Sequence, residues 1–355
     1  MSRDQKSARD LKLPPCPLPR PGDEVIWYTD SVPHRGKLEG HGTKGRPHVR
    51  SELQHSFVLD SFDVVRLQDT AHRRGPAWEH LPDGGRIFCA TASEQQLFGV
   101  LLARPVPPGP RYAELITEIW SRGFEIFVVG GTVRDVLAGK ETHDVDLVTT
   151  MPLNSASRLL KAMYRSDPQI SDKNGYVRLG GVPRLGDPFI DLKMFSLAAP
   201  GTENAIFGAD FCSDVGHRDF SCNAIYYDPI NAVLIDPSGR GIEDAKESRL
   251  CLVCDQASRR PKQRAQIVIR FLKFKMRGFE ATVETIETIT KDYLPDLAAM
   301  DGSERLRYLK AQVINKCAPG DRQAKLEQFR ICMIEFGAER EWVKFFQPLV
   351  KDILS

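Results

Sequence analysis

The sequence lacks the features that mark membrane, secreted or fibrous proteins. It contains no run of about 18 apolar residues, so nothing in it predicts a transmembrane helix. The charged start, MSRDQKSARDLKLPP, lacks the apolar centre of a signal peptide. Internal repeats and low-complexity tracts are missing too. We therefore expect a cytoplasmic protein with no membrane contact.

A strong excess of one charge is also missing. The 355 residues include 49 Lys and Arg against 47 Asp and Glu, a formal net charge of +2. A polyanionic partner would therefore have to bind a local basic patch. The eight cysteines are scattered except for Cys251 and Cys254. A single CxxC lacks the second pair of ligands that zinc sites usually have, and the pair is more typical of a buried strand end.

Composition and hydrophobic patterning divide the chain into segments. Residues 1–20 are polar and then proline-rich, which predicts a disordered tail. Short alternating apolar runs with turns over 21–70 predict a small all-β module of the SH3-like barrel type. A linker region is predicted at 71–112, a mixed α/β domain at 113–255 and an all-α segment at 256–355.

Basic residues crowd the middle of the β module: Arg35, Lys37, Lys44, Arg46, His48 and Arg50. Such a cluster is typical of a surface that binds nucleic acid or an acidic protein. Charged hairpins are also common where nothing binds, because they are simply solvated. The module is a candidate partner-binding surface, and the sequence does not identify the partner.

The α/β domain opens with a strand, a glycine turn and a helix. The apolar run FVV precedes Gly130 and Gly131, and Arg134 and Asp135 lie in the first turn of the helix that follows. A glycine turn lets backbone N–H groups approach phosphate oxygens closely, and the helix N-terminus favours negative charge. Arg134 adds a positive charge, so these four residues are candidates for nucleotide binding.

Acidic residues follow on two predicted strands. In HDVDLVTT, Asp144 and Asp146 alternate, so both carboxylates face one side of the strand. Neighbouring carboxylates repel, and a hard dication such as Mg²⁺ relieves the repulsion while it bridges nucleotide phosphates. Asp191, in PFIDLKMFS, is placed to complete a metal-binding triad. The alternative for Asp191 is a local ion pair with Lys193.

Together these motifs resemble a known family. The segments GGTVRD (130–135), DVD (144–146), HRDFSCNAIYYDP (217–229) and LIDPSGRGIED (234–244) resemble the head domain of class II tRNA nucleotidyltransferases and bacterial poly(A) polymerases. The resemblance covers about 120–280 and does not reach the β module. It implies an α/β (α+β) nucleotidyltransferase head with a mixed sheet, followed by a helical neck.

The resemblance assigns roles to individual residues. It makes Asp144 and Asp146 the metal-binding pair, and it makes the Gly-Gly turn with its Arg a nucleotide contact. HRDFSCNA matches the family's RRDFTxNA, which implies that Arg218, Asp219 and Asn223 hold the triphosphate and ribose of the nucleotide. Arg offers a planar fork to phosphate, and Asp and Asn hydrogen-bond to hydroxyls. Asp219 and Asn223 are also residues that cap a helix.

The segment that reads the base in this family departs from its pattern. Family members carry EDxxRxxR, whereas RPKQR stands at 260–264, so Arg264 is kept and the acids are missing. Asp255 and Arg259, just upstream, are alternative candidates. Arg264 and Arg270 belong to a basic run that would follow nucleotide or RNA phosphates, or would form a solvated helix face.

These observations predict a metal-dependent nucleotidyltransferase. It would transfer NMP from an NTP, ATP or CTP, to the 3′-hydroxyl of an RNA, with tRNA as the first candidate and Mg²⁺ as the cofactor. Only about 75 residues follow Phe279, which favours a narrower or different acceptor than that of full-length family members. Alternatives are transfer to a protein, a toxin-like transfer that disables tRNA, a catalytically silent RNA- or protein-binding relative, and a structural adaptor. The intact acidic motifs favour an enzyme.

Overall fold

The structure is a computed structural model, and it describes residues 19, 21–29, 32–42, 45–59, 66–67, 81–106, 109–142, 145–171, 174–180, 189–196, 206–208, 211–253 and 259–354. Asp144, Cys254 and Asp255 lie outside these residues, as does the predicted tail apart from Pro19. No helix of the described part is both long and apolar enough to cross a bilayer.

The described N-terminal residues form antiparallel strands: β1 (Glu24–Thr29), β2 (Val32–His41), β3 (Pro47–Ser51), β4 (Ser56–Val58) and β5 (Arg66–Leu67). Their order is β5–β1–β2–β3–β4. Side chains alternate between the two faces of a strand, and Val25, Trp27, Leu38 and Val49 form a small core on one face. The predicted strands are present. Closure into a barrel is not seen among the described residues, where β4 and β5 form the edges, so the SH3-like barrel stays a prediction.

The sheet continues through the rest of the chain with β6 (Arg86–Cys89), β7 (Ile126–Val129), β8 (Asp146–Thr149), β9 (Gln169–Ser171), β10 (Tyr176–Leu179), β11 (Ile190–Ser196), β12 (Phe207–Gly208), β13 (Tyr226–Asp228) and β14 (Val233–Asp236). The strand order is β2–β12–β11–β8–β7–β13–β14–β6, and β10 joins β9 to the side of β11. Strands β8 and β11 are parallel and their other partners are antiparallel. The predicted mixed sheet is therefore present.

The helices that cover this sheet are α1 (Ala92–Leu102), α2 (Tyr112–Ser121), α3 (Gly131–Leu137), α4 (Leu153–Tyr164), α5 (Phe211–Gly216) and α6 (Gly241–Lys246). The linker predicted at 71–112 needs correction, because its described part contains β6 and α1. Strand β6 pairs with β14, and Phe98 of α1 stacks on Tyr227 with ring centroids 3.8 Å apart. Burial of this apolar face against the sheet, together with a capping box between Thr91 and Glu94, explains the helix.

The C-terminal part is helical: α7 (Pro261–Lys275), α8 (Val283–Thr288), α9 (Gly302–Gln312), α10 (Arg322–Glu335), α11 (Glu339–Glu341) and α12 (Val350–Leu354). Short 3₁₀ and π segments connect several of them. Two short strands, β15 (Arg249–Leu250) before α7 and β16 (Glu280–Ala281) after it, pair in parallel. Helix α7 starts at Pro261, and proline is common at the first position of a helix. It buries Phe271 and Phe274 near Phe220 of the α/β domain.

Candidate active site

The glycine turn lies between β7 and α3. Gly130 has a φ of +70°, which residues with side chains rarely adopt, and α3 begins at Gly131. A Cβ atom on Gly130 would lie 3.6 Å from Asp146 Oδ2. The turn therefore passes directly beside one of the predicted metal-binding carboxylates, and its backbone is open to close approach.

Two of the predicted metal-binding acids are neighbours in the sheet. Asp146 and Asp191 are paired in register on the parallel strands β8 and β11, so both side chains leave the sheet on the same side. The Asp191 side chain is 8% exposed and that of Asp146 is 31% exposed. Val145 and Leu147 are buried, as the alternation of the strand predicted. Asp144 lies outside the described residues, and its role stays a prediction.

Two basic side chains lie against this acidic pair. Arg178, opposite Asp191 on β10, donates from Nη2 to Asp191 Oδ2 at 2.9 Å. Lys193 Nζ lies 3.9 Å from Asp191 Oδ2 and 3.9 Å from Asp146 Oδ1. The ion pair considered from the sequence is therefore present together with the close approach of the acids. Arg178 was missed because only the strand register shows that it lies opposite Asp191.

The oxygen atoms of this pair suit a hard dication. Asp191 Oδ1 is buried and accepts no hydrogen bond from the described residues. A buried oxygen without a partner costs free energy, and carboxylate oxygens are preferred ligands of Mg²⁺. The described residues contain no group of three or more His, Cys, Asp or Glu side chains placed to hold a metal ion. Asp146 and Asp191 stay candidate metal ligands.

Arg134 is buried beneath the turn. It is 4% exposed, and its guanidinium donates from Nε to Asp135 Oδ1 at 2.8 Å and from Nη1 to Asn223 Oδ1. It also lies 4.9 Å from the centroid of the Phe274 ring. Asp135 accepts a second contact, at 3.3 Å, from Arg277. Arg134 thus ties the turn helix to the HRDFSCN segment, and its direct contact with a nucleotide stays a prediction.

Asp219 and Asn223 extend the same set of hydrogen bonds. Asn223 donates from Nδ2 to Asp219 Oδ1 at 2.9 Å, and Arg270 of α7 donates to Asp219 Oδ2. Burial disfavours the ionised carboxylate, but the Arg270 charge and these hydrogen bonds outweigh it and lower the pKa of Asp219 to about 2. We call the chain Asp135–Arg134–Asn223–Asp219–Arg270 the relay. It joins α3, the HRDFSCN segment and α7.

Arg218 is held by other partners. Its Nη2 lies 2.7 Å from Asp214 Oδ2, and its guanidinium lies 5.4 Å from the centroid of the Tyr226 ring. The Tyr226 hydroxyl donates to the same Asp214 oxygen. Burial disfavours the charged guanidinium, yet Asp214 and Tyr226 outweigh it and raise the pKa of Arg218. The contact between Arg218 and a triphosphate, implied by the resemblance, stays a prediction.

The segment that was expected to recognise the nucleotide base forms contacts with other residues of the protein. Arg264 Nε lies 2.5 Å from Asp296 Oδ2, and Arg259 donates to the backbone carbonyls of Gly216 and Arg218. Other basic residues of this run also pair with acids: Lys262 with Glu304, Lys275 with Glu280 and Arg277 with Asp135. Ion pairing within the protein therefore accounts for much of the basic run.

Known proteins resemble part of this chain. Residues 126–251 match the family model of the poly A polymerase head domain. A CCA-adding enzyme of Streptococcus pyogenes is 31% identical over 184 residues, which are 49% of this chain and 42% of that enzyme. A CCA-adding enzyme of Geobacillus thermodenitrificans is 27% identical over 187 residues, 52% of this chain and 44% of the enzyme. The predicted resemblance to class II tRNA nucleotidyltransferases and poly(A) polymerases is confirmed over the matched segment.

Solved structures with some similarity to this chain include a CCA-adding enzyme. The CCA-adding enzyme of Bacillus stearothermophilus in complex with CTP has a TM-score of 0.49 and 22% sequence identity, and the match covers 63% of this chain and 51% of that one. This chain spans less than half the length of the curated relatives that it matches.

Proposed function

We propose that this chain, with its poly A polymerase head domain, is a metal-dependent nucleotidyltransferase that transfers NMP from an NTP to the 3′-hydroxyl of an RNA. The observation that carries the proposal is the pair Asp146 and Asp191, in register on adjacent parallel strands beside the Gly130 turn. The matched relatives are named CCA-adding enzymes, which supports tRNA as the acceptor and ATP or CTP as the nucleotide.

The metal-binding residues in this proposal are Asp146, Asp191 and Asp144. The unpartnered Asp191 Oδ1 and the partly exposed carboxylate of Asp146 provide adjacent oxygen donors. Mg²⁺ bound there would neutralise phosphate charge and lower the pKa of the acceptor hydroxyl. Most of the remaining catalytic effect would come from positioning and from charges fixed in advance.

The protein's own groups position the nucleotide. The Gly130 turn leaves the backbone open where phosphates would approach Asp146. The relay fixes Asn223 through the buried Arg134 and Asp219 through the partly exposed Arg270, and these are the two residues that the resemblance assigns to the nucleotide. We propose that Arg134 and Arg270 act mainly by holding these two side chains in place. Arg218, tied to Asp214 and Tyr226, would hold the start of the same segment.

We also propose that the basic face of β2 and β3 contacts the RNA acceptor. Arg35, Lys37 and Arg50 are exposed, and Lys37 and Arg50 are direct cross-strand partners. Like charges placed opposite each other destabilise a sheet, and a bound phosphate would relieve that cost. Glu39 already pairs with Arg50, which offsets part of it. Strand β2 also connects through β12 to β11, which carries Asp191.

The function is tested by incubating the protein with Mg²⁺, total RNA and each of the four labelled NTPs in turn. We expect label in RNA from wild type and at least about a 100-fold lower rate from Asp146→Asn, because even groups that only support a metal ligand are worth about 10- to 100-fold. Asp83→Asn, at an exposed turn, is the matched control and should retain the wild-type rate.

The outcome also separates the alternative functions. Label in a protein band in place of RNA would show that the acceptor is a protein hydroxyl. Label that stops tRNA from being aminoacylated would indicate a toxin-like transfer. No label with any NTP, and no nucleotide binding, would contradict the enzyme and favour a silent RNA-binding relative.

A further inference from the structure

Lys193 lies between the two described acids of the candidate active site. It follows Asp191 by two residues on β11, so both side chains leave the strand on the same face. Its ammonium is 3.9 Å from Asp191 Oδ2 and 3.9 Å from Asp146 Oδ1, and the side chain is 38% exposed. A mobile, strongly hydrated cation therefore stands where both carboxylates can reach it.

Arg178 approaches Asp191 from the neighbouring strand. It binds Asp191 Oδ2, the same oxygen that faces Lys193, and leaves Oδ1 buried and without a partner among the described residues. The two described carboxylates are thus contacted by two cations, and Asp191 Oδ1 accepts no hydrogen bond from the described residues. Two cations beside the acids, together with an oxygen that lacks a donor, distinguish these residues from a simple acidic cluster.

This arrangement disfavours a bare dication more than a dication bound to a triphosphate. A free metal ion would add positive charge beside Lys193 and Arg178, and like charges repel. The metal complex of a nucleoside triphosphate carries net negative charge, so the same two cations would attract it. The exposed ammonium of Lys193 is free to turn from the carboxylates to the phosphates, whereas Arg178 is held by its hydrogen bond.

We propose that Lys193 makes the site selective for metal delivered as its nucleotide complex, by occupying the space between Asp146 and Asp191 until the nucleotide arrives. The inference rests on the proposed function and adds how the ligands bind. Metal and nucleotide bind together, and Lys193 exchanges its carboxylate contacts for phosphate contacts. Lys193 is then a specificity-determining residue that keeps free metal out of an empty site.

The proposal is tested by Mn²⁺ titration of the full chain, with free Mn²⁺ followed by electron paramagnetic resonance, in the absence and presence of ATP. The variant is Lys193→Met, which keeps the aliphatic stem and removes the charge. One partly exposed ion pair changes an equilibrium constant by up to about fivefold. Loss of two such contacts therefore predicts Mn²⁺ binding that is about 3- to 30-fold tighter without ATP.

With ATP present, the same variant should bind Mn²⁺ no more tightly than wild type, so the gain in Mn²⁺ affinity that ATP provides shrinks. Lys161→Met is the matched control, because Lys161 lies on the exposed face of α4 and pairs with Asp167 at 2.5 Å. It should leave both affinities unchanged. Adding Asp146→Asn to Lys193→Met should abolish the tighter binding, which locates the Mn²⁺ at this site.

Unchanged or weaker Mn²⁺ binding by folded Lys193→Met in the absence of ATP would overturn the inference, while Mn²⁺–ATP binding by wild type would leave the proposed function standing. If neither protein binds Mn²⁺ with or without ATP, the proposed function fails and the inference fails with it. Circular dichroism and the thermal midpoint establish that each variant is folded.

Discussion

The ion pair between Asp219 and Arg270 allows a quantitative prediction for the substitution Asp219→Asn. Asp219 is 7% exposed, and its pKa falls from 3.8 to about 2 in the folded protein. Each pH unit of difference corresponds to about 1.4 kcal/mol, so the ionised carboxylate contributes about 2 kcal/mol to the free energy of unfolding. Breaking a fully buried pair commonly costs about 3–5 kcal/mol, which is the upper limit of the loss because the Arg270 side chain is 31% exposed.

We therefore expect Asp219→Asn to lower the free energy of unfolding by about 2 to 5 kcal/mol at pH 7, measured by urea denaturation followed by circular dichroism. The folded-state pKa of Asp219 lies below its ordinary value of 3.8. The ionised carboxylate therefore stabilises the folded protein above pH 3.8, and this stabilisation is lost as the pH falls from 3.8 to about 2. The difference between wild type and variant should shrink over that interval.

Two further variants identify the cause. Arg270→Met alone should also destabilise, because it leaves the Asp219 carboxylate buried without its cation. The double variant Asp219→Asn with Arg270→Met should lose less than the sum of the two single changes. Equal stability of wild type and Asp219→Asn at pH 7, or strictly additive losses in the double variant, would refute the role given to this pair.

Two other predictions concern the N-terminal strands and the packing of α1. Lys37→Gln should weaken binding of labelled tRNA and reduce the slope of log affinity against log salt by about one in a filter-binding assay, whereas Lys161→Gln should not; an unchanged slope would exclude a phosphate contact at Lys37. Phe98→Ala should lower the free energy of unfolding by about 3–5 kcal/mol, because Phe98 is 1% exposed and stacks on Tyr227. Leu97→Ala, on the exposed side of α1 at 45%, should cost much less, and similar losses for both variants would contradict the packing of α1 on the sheet.

The sequence predicted those parts of the fold that local patterns determine. Alternating apolar residues predicted β8 and β11, helical spacing with a glycine stop predicted α2, and the Gly-Gly pair predicted the turn before α3. It missed β6 and α1, because the prolines at 103–110 made the whole region resemble a linker. The burial of Phe98 against Tyr227 joins residues far apart in sequence, and no local pattern records such a contact.

The sequence indicated which residues belong to the candidate site, but it did not indicate the contacts between them. Motif spacing and resemblance selected Asp146, Asp191 and Asn223, and the sheet brings the first two together. The sequence did not indicate that Arg134 is buried, nor that it bonds to Asn223, 89 positions away. A charged residue in a predicted helix can contact a ligand, face the solvent or form a buried hydrogen bond within the protein. Only the tertiary structure shows which of the three applies.

The relay also determines where this chain can be divided. Arg277, which follows α7, contacts Asp135, and Arg270 of α7 donates to Asp219. One continuous apolar core contains side chains from both sides of residue 256. A cut at that position would remove the arginine that pairs with Asp219 and one of the two arginines that contact Asp135, and it would open the core to water. We therefore expect residues on the two sides of position 256 to unfold together, because they share one core.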